Sequence, residues 1–168
     1  MFQKLLGLIK IKALMIKINV ITNNNNWYSF IKNPVNYIAR KIDRINKFET
    51  IFSKKKIYCT LLLSGNKEIK YLNNKFRKKN LSTDVLSFPF QPKKELNNLL
   101  KSEKEIYLGD IIINLNKIEK KNLNNFKSEF DRLWIHGFLH LFGHDHKNEK
   151  DFLKMNQVEK KYLDLINA

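Results

Sequence analysis

Four short segments of the chain have the hydrophobic pattern of β-strands. Residues 16–22 alternate apolar and polar side chains, which is typical of a strand that buries one face. Three later runs are more continuously apolar: 57–63, 85–90 and 107–114. Because Pro89 cannot donate a backbone hydrogen bond, the strand over 85–90 is expected to end there or to lie at the edge of a sheet.

Segments with helical periodicity lie between and after these strands. Apolar side chains recur at steps of three and four residues, which predicts four helices: about 34–45, 67–79, 126–141 and 149–166. In the second of these helices, Ile69, Leu72 and Phe76 are expected to face the core. Residues 91–105 are polar and charged without such a pattern, so we predict a loop there, part of it mobile.

The mixture of strands and helices, without internal repeats or a linker, predicts a single α+β domain over residues 15–168, with a mixed sheet packed against helices. Residues 1–14 are interpreted as a possible N-terminal extension. Lysines interrupt its apolar residues, so we predict neither a signal peptide nor a membrane span. The one cysteine, Cys59, excludes a disulfide within the chain and favours a cytoplasmic location.

All four histidines lie within residues 136–146. His136 and His140 are one helical turn apart and therefore share a face of the predicted helix. Gly143 can end that helix in the left-handed conformation, so the chain can turn back and bring His146 to the same point. Three imidazoles without a fourth protein ligand are typical of a zinc site with an open position, which favours catalysis over a purely structural metal.

The same spacing resembles the metzincin protease motif, His-Glu-x-x-His-x-x-Gly-x-x-His, in which the glutamate is the general base. Gly137 stands where that glutamate would be. A metallopeptidase remains an alternative, but this chain would lack the proton acceptor that peptide hydrolysis by that route needs.

The net charge of +16 indicates an anionic partner, most simply a nucleic acid. The basic residues are mainly lysines, and the chain is also rich in asparagine and isoleucine. AT-rich codons encode all three residues, so a biased genome would raise their number together. The excess of positive charge therefore reflects either binding to RNA or DNA or the codon composition of the genome, and charge alone does not decide between these two explanations.

Three segments resemble the bacterial YbeY family. Residues 136–146, His-Gly-Phe-Leu-His-Leu-Phe-Gly-His-Asp-His, resemble its signature, His-Gly-x-Leu-His-Leu-x-Gly-Tyr-Asp-His. Residues 73–77 with 83–90 are similar to the central segment of the family, and residues 108–113 to its next strand. The resemblance extends from about residue 15 to the end of the chain.

Two further positions agree with the family, and one departs from it. Met155 and Glu159 fall where the last helix of the family has methionine and glutamate. His144 departs from the family, which usually has tyrosine there. Because His144 follows Gly143, it need not continue the helical face, and we expect it not to bind the metal.

The resemblance implies a metalloprotease-like, zincin-like fold in which the histidine-bearing helix lines the active-site cleft. It also implies a zinc-dependent endoribonuclease specific for single-stranded RNA, which acts in 3′-end maturation of small-subunit rRNA and in ribosome quality control. The partners would be rRNA and the small ribosomal subunit, with no membrane and no cofactor besides one zinc ion. A non-catalytic ribosome-assembly factor with a structural metal is the alternative outside the enzymes.

Carried over residue by residue, the resemblance makes His136, His140 and His146 the zinc ligands. It makes Arg77, together with His136, a candidate catalytic residue. Arg77 is expected to stabilise the negative charge that develops on the scissile phosphate. The nucleophile is either a metal-activated water or the 2′-hydroxyl of the RNA.

Further candidates have less specific roles. Thr83 and Asp84 either contact RNA or cap the structure that follows them. Asp145 either orients a ligand imidazole or forms a turn. Candidates for contacts with RNA phosphates are Lys75, Lys78 and Lys79. Phe88 and Phe90 could stack on bases, but we expect both to be buried in the core.

Overall fold

The computed structural model describes residues 16–48 and 55–168. Its strands are β1 (Ile16–Thr22), β2 (Lys56–Ser64), β3 (Val85–Pro89) and β4 (Glu105–Asn114). Its helices are α1 (Pro34–Phe48), α2 (Asn66–Arg77), α3 (Lys93–Ser102), α4 (Leu123–Leu141) and α5 (Glu149–Asn167). The possible extension over residues 1–14 lies outside the described residues. No helix within the described residues has the length and apolar character needed to cross a membrane.

The four strands form one sheet in the order β1-β2-β4-β3. Strands β1, β2 and β4 are parallel, and β3 pairs with β4 in the antiparallel direction. The predicted α+β fold with a mixed sheet is therefore confirmed. Strand β3 lies at an edge and has Pro89 as its last residue, so its proline removes no hydrogen bond from the interior of the sheet.

The two faces of the sheet carry cores of different size. The larger core lies between the sheet and the helices α1, α4 and α5, and its largest buried side chains include Trp27, Phe126 and Phe130. On the other face, α2 covers a small cluster of three buried residues, Ile69, Leu86 and Ile112. Because α4 packs against β3 and β4 on the larger core, its position relative to the sheet edge is closely determined.

Two predictions about local structure are wrong. The segment 91–105, predicted as a loop, contains α3, which buries Leu96 to 2% exposure in the larger core. Its leucines, Leu96, Leu99 and Leu100, have helical spacing, but they stand among polar and charged residues and only Leu96 is fully buried. Phe76, predicted to face the core, is 58% exposed, because α2 packs on the small cluster and its last turn extends beyond it.

Gly137 lies where α4 packs directly on the sheet. A Cβ atom there would lie 2.7 Å from Cγ2 of Ile111 and 3.0 Å from Oγ of Ser87. The absence of glutamate at this position therefore has a structural reason, since a long side chain has no room between α4 and the sheet. This packing argues against the metallopeptidase alternative.

We expect Gly137→Ala to lower the free energy of unfolding by about 1–2 kcal/mol. Overpacking against Ile111 costs more than the gain of about 1 kcal/mol from helix propensity. Urea denaturation would measure the change. Ser128→Ala, on the exposed side of the same helix, is the control and should be neutral or slightly stabilising. An unchanged or raised stability of Gly137→Ala would contradict the tight packing.

Candidate metal centre

The end of α4 sets the positions of the histidines. His136 and His140 lie in its last two turns, and the helix ends at Leu141. Gly143 has a φ of 79°, its N–H donates to the carbonyl of His140, and the N–H of His144 donates to the carbonyl of Leu139. These two hydrogen bonds form a Schellman motif, which closes the helix and turns the chain back on itself.

The turn brings three imidazoles together. One nitrogen from each of His136, His140 and His146 lies within 4.8 Å of the others. The Nε2 atoms of His136 and His140 are 3.1 Å apart. The rings of His136 and His140 are partly buried, whereas His146 is exposed at the mouth of the cluster. Within the described residues, the ring of His144 does not belong to this cluster.

The other ring nitrogens of the two helical histidines have partners that determine their tautomers. Nδ1 of His136 donates to Oε2 of Glu159 at 2.9 Å. Nδ1 of His140 donates to the backbone carbonyl of His144, also at 2.9 Å. A carbonyl oxygen can only accept, so the proton of neutral His140 is on Nδ1 and its Nε2 has a free lone pair. By the same argument, the carboxylate of Glu159 directs the lone pair of His136 Nε2 towards the cluster.

The surroundings of His140 favour its neutral form. Burial lowers the pKa of His140, and the neighbouring His136 lowers it further, although the hydrogen bond to the His144 carbonyl acts in the opposite direction. Burial also lowers the pKa of His144, with a smaller contribution from Lys93. Neutral imidazole is the form that binds metal ions.

The donor set fits zinc. Two unprotonated Nε2 atoms at 3.1 Å have no proton to share, so their lone pairs repel unless a cation lies between them. The distance is close to the roughly 3.3 Å expected between nitrogen ligands of a tetrahedral zinc ion. Three imidazoles would hold such an ion with one ligand fewer than the four of a closed structural zinc site.

A cleft of about 810 Å³ opens beside the three histidines. Three cationic side chains line it: Arg77 at the end of α2, Lys93 at the start of α3, and Lys147. The carboxylates of Asp84, Asp145 and Asp151 line it as well. Thr83 and Asp84 line the cleft at the start of β3. The cleft therefore combines the candidate metal ligands with side chains of both charges, and the edge strand β3 forms part of its lining.

The other residues proposed from the sequence include two aspartates that cap or form turns and three lysines on the surface. Oδ1 of Asp84 accepts from the Thr83 hydroxyl and from the N–H of Val85, each at 2.8 Å, which caps the start of β3. Asp145 accepts from the backbone N–H of His146 at 2.8 Å and pairs with Lys147 at 2.9 Å. These contacts are those of a turn-forming aspartate, and the hydrogen bond from Lys147 lowers the pKa of Asp145. Three exposed lysines lie along and beyond the end of α2, outside the lining of the cleft: Lys75, Lys78 and Lys79.

Sequence reasoning missed two contributors to the site. The resemblance marked the position of Glu159, but nothing in the local sequence indicates that α5 brings its carboxylate to Nδ1 of His136. Lys93 was hidden in the segment predicted as a loop. Both lie far in sequence from the residue they approach, so only the packing of α3 and α5 reveals them.

The fold and site together define an α+β protein with a three-histidine metal-binding arrangement at the end of a helix. The family model described as endoribonuclease YbeY matches residues 20–167. The chain belongs to this family.

Individual relatives agree with this assignment. A protein of Pelagibacter ubique named endoribonuclease YbeY is 43% identical over 148 residues, which cover 86% of this chain and 92% of the relative. One of Ehrlichia canis with the same name is 34% identical over 155 residues, covering 90% and 93%. A solution structure of a Thermotoga maritima protein is similar in fold, with a TM-score of 0.54, 25% identity and coverage of 90% and 88%.

Proposed function

We propose that this chain is a zinc-dependent endoribonuclease that cleaves single-stranded RNA, acting on the 3′ end of small-subunit rRNA and in ribosome quality control in the cytoplasm. The observation that supports it most strongly is the convergence of three imidazoles beside a cleft whose lining includes Arg77 and Lys93. Membership of the YbeY family supports the RNA substrate, as does the net charge of +16.

In this proposal His136, His140 and His146 hold one zinc ion. The chemistry that such an ion supplies is polarisation of a phosphoryl oxygen and activation of a water molecule. Zinc is assigned from the ligand type, because imidazole is one of its usual ligands. Nickel and cobalt also accept three imidazoles. Glu159 and the His144 carbonyl hold the two helical imidazoles in place through Nδ1.

Arg77 binds the scissile phosphate. Its guanidinium group is planar and permanently charged, so it can donate two hydrogen bonds to non-bridging oxygens, whose negative charge grows as the bond to the nucleophile forms. Lys93 lines the same cleft and attracts the adjacent phosphate. The three lysines near the end of α2 (Lys75, Lys78 and Lys79) contact phosphates of the strand outside the cleft.

The proposal is tested by incubating the purified, zinc-loaded protein with a single-stranded rRNA fragment and with a duplex of the same sequence. We expect cleavage of the single strand. Cleavage should stop when a chelator removes the zinc and should return when zinc is restored. Bound zinc without any cleavage would favour the non-catalytic assembly factor instead.

The ends of the products identify the nucleophile. Attack by water leaves one terminal phosphate and one hydroxyl, whereas attack by the RNA 2′-hydroxyl leaves a 2′,3′-cyclic phosphate. A substrate with a single 2′-deoxy residue at the cleavage site is cut only if water is the nucleophile. Mass spectrometry of the products separates these two outcomes.

Glu159→Ala should lower the affinity for zinc about 10- to 100-fold, since loss of a hydrogen bond to a ligand imidazole typically has an effect of this size. Glu159→Gln should lose less, because its amide oxygen still accepts from His136 Nδ1. Competition with a chromophoric chelator would measure the affinity. Asp164→Ala removes the same charge from an exposed position of α5 and should leave the affinity unchanged. Equal affinities for Glu159→Ala and Asp164→Ala would contradict the role assigned to Glu159.

A further inference from the structure

Aromatic side chains cross the sheet face that lies opposite α4. We call the following residues the aromatic band: Tyr58, Phe76, Phe88, Phe90 and Tyr107. The ring of Tyr107 lies with its centroid 5.3 Å from that of Tyr58 and 5.6 Å from that of Phe90. The rings of Phe76 and Phe88 are 5.2 Å apart. Phe88 and Phe90 are two residues apart, about 7 Å in extended chain, so they join the two groups.

Much of the band is open to solvent. Tyr58 is 38% exposed, Phe76 58% and Phe90 64%. The expectation that Phe90 would be buried is therefore wrong. Within residues 16–48 and 55–168, α2 is the element that covers this face, and it buries only a small cluster beside the band. Several large rings exposed in one row are unusual for a protein surface and indicate a contact site.

Cations flank the band. Lys17 on β1 is the register partner of Tyr58, so the two side chains share a face of the sheet. Nζ of Lys75 lies 5.3 Å from the centroid of the Phe76 ring. Aromatic rings bordered by lysines suit single-stranded nucleic acid, because bases stack on the rings while the lysines neutralise the phosphates.

One acidic group of this face, Asp110, is engaged within the protein. The hydroxyl of Tyr107 donates to Oδ1 of Asp110 at 2.5 Å and lies 3.1 Å from Oγ1 of Thr60. These contacts hold the Tyr107 ring in place. Burial and the Asp110 hydrogen bond raise the pKa of Tyr107 to about 12, so the ring stays neutral and does not repel phosphates.

The band is connected to the cleft across the edge strand. Ser87 and Pro89 of β3 line the cleft, whereas Phe88 and Phe90 belong to the band. Phe76 directly precedes Arg77, which also lines the cleft. An RNA strand that leaves the cleft over the edge of the sheet therefore reaches the band without crossing another element of the described chain.

We propose that the aromatic band is a second RNA-binding site, which stacks the bases of the single-stranded segment flanking the cleavage site. This inference rests on the proposed endoribonuclease function, and it adds a surface that binds bases without reading their sequence. The metal centre and Arg77 act on the phosphate, whereas the band increases affinity for longer single strands.

The test is the Kd of the zinc-loaded protein for a labelled, unstructured RNA of about 16 nucleotides, a length at the upper end of typical single-strand binding sites. Fluorescence anisotropy, read before cleavage proceeds, gives this value. We expect Phe90→Ala and Tyr58→Ala each to raise the Kd about tenfold, as for the loss of one stacked base. Phe90→Trp should retain the affinity. Phe48→Ala is the matched control, because Phe48 is also 64% exposed but lies at the end of α1.

An abasic oligonucleotide of the same length separates stacking from phosphate binding. The band variants and the wild type should bind it with equal affinity. The inference is overturned if the alanine variants bind the RNA as tightly as the wild type, or if they lose as much affinity for the abasic strand. If the wild type cleaves RNA and the band variants bind it normally, the aromatic band is refuted and the proposed function stands. If binding depends on the band but the wild type does not cleave RNA, the band is supported and the endoribonuclease function is refuted.

Discussion

Replacing His140 with alanine is expected to remove the bound zinc and to reduce RNA cleavage on the order of a thousandfold or more. His140 is the partly buried member of the cluster whose Nε2 lies 3.1 Å from that of His136. Without it, His136 and the exposed His146 remain, and two imidazoles are too few to hold zinc firmly. Elemental analysis would measure the zinc content, and a single-strand cleavage assay the rate.

His144→Ala is the matched control for this prediction. It removes an imidazole from the same turn but keeps the backbone carbonyl that accepts from His140 Nδ1. This variant should therefore retain its zinc. Loss of zinc from both variants would mean that His144 is a fourth ligand and that the site is closed. Retention of zinc and activity by His140→Ala, in a folded protein, would contradict the metal centre itself.

Replacing Arg77 with alanine should lower the rate of cleavage about 10²- to 10³-fold, which is the typical effect of losing one group that stabilises charge in the transition state. Arg77 is exposed at the end of α2, where it lines the cleft. We therefore expect the zinc content and the midpoint of thermal unfolding to stay at wild-type values. Arg77→Lys should recover only part of the rate, because an ammonium group cannot form the paired hydrogen bonds of a guanidinium group.

Lys79→Ala provides the comparison for a simple loss of charge. Lys79 is exposed and does not line the cleft, so its removal should weaken RNA binding a few-fold and leave the rate at saturating RNA unchanged. Equal losses of rate in Arg77→Ala and Lys79→Ala would show that Arg77 contributes only general attraction. A fall in zinc content of Arg77→Ala would instead assign it a structural role.

Local patterns were sufficient for most of the fold. Alternating or continuous apolar runs mark each strand of the sheet, and Pro89 indicated that β3 lies at an edge. In α3, three leucines at helical spacing stand among polar residues and only Leu96 is fully buried, so the helix was not predicted. The apolar spacing of Phe76 suits a core that does not extend to the end of α2. In both cases the burial of a residue depends on which neighbour covers it, and this is a property of packing.

The sequence by itself determined the elements of the fold, and the spacing of His136 and His140 followed by the helix-ending Gly143. These features are local, because helix geometry and the conformational freedom of glycine act over a few residues. Tertiary structure alone decided which groups surround them: the Glu159 carboxylate from α5, Lys93 from α3 and the exposure of Phe90. Those contacts join residues that are far apart in the chain, and they form only when the helices pack on the sheet.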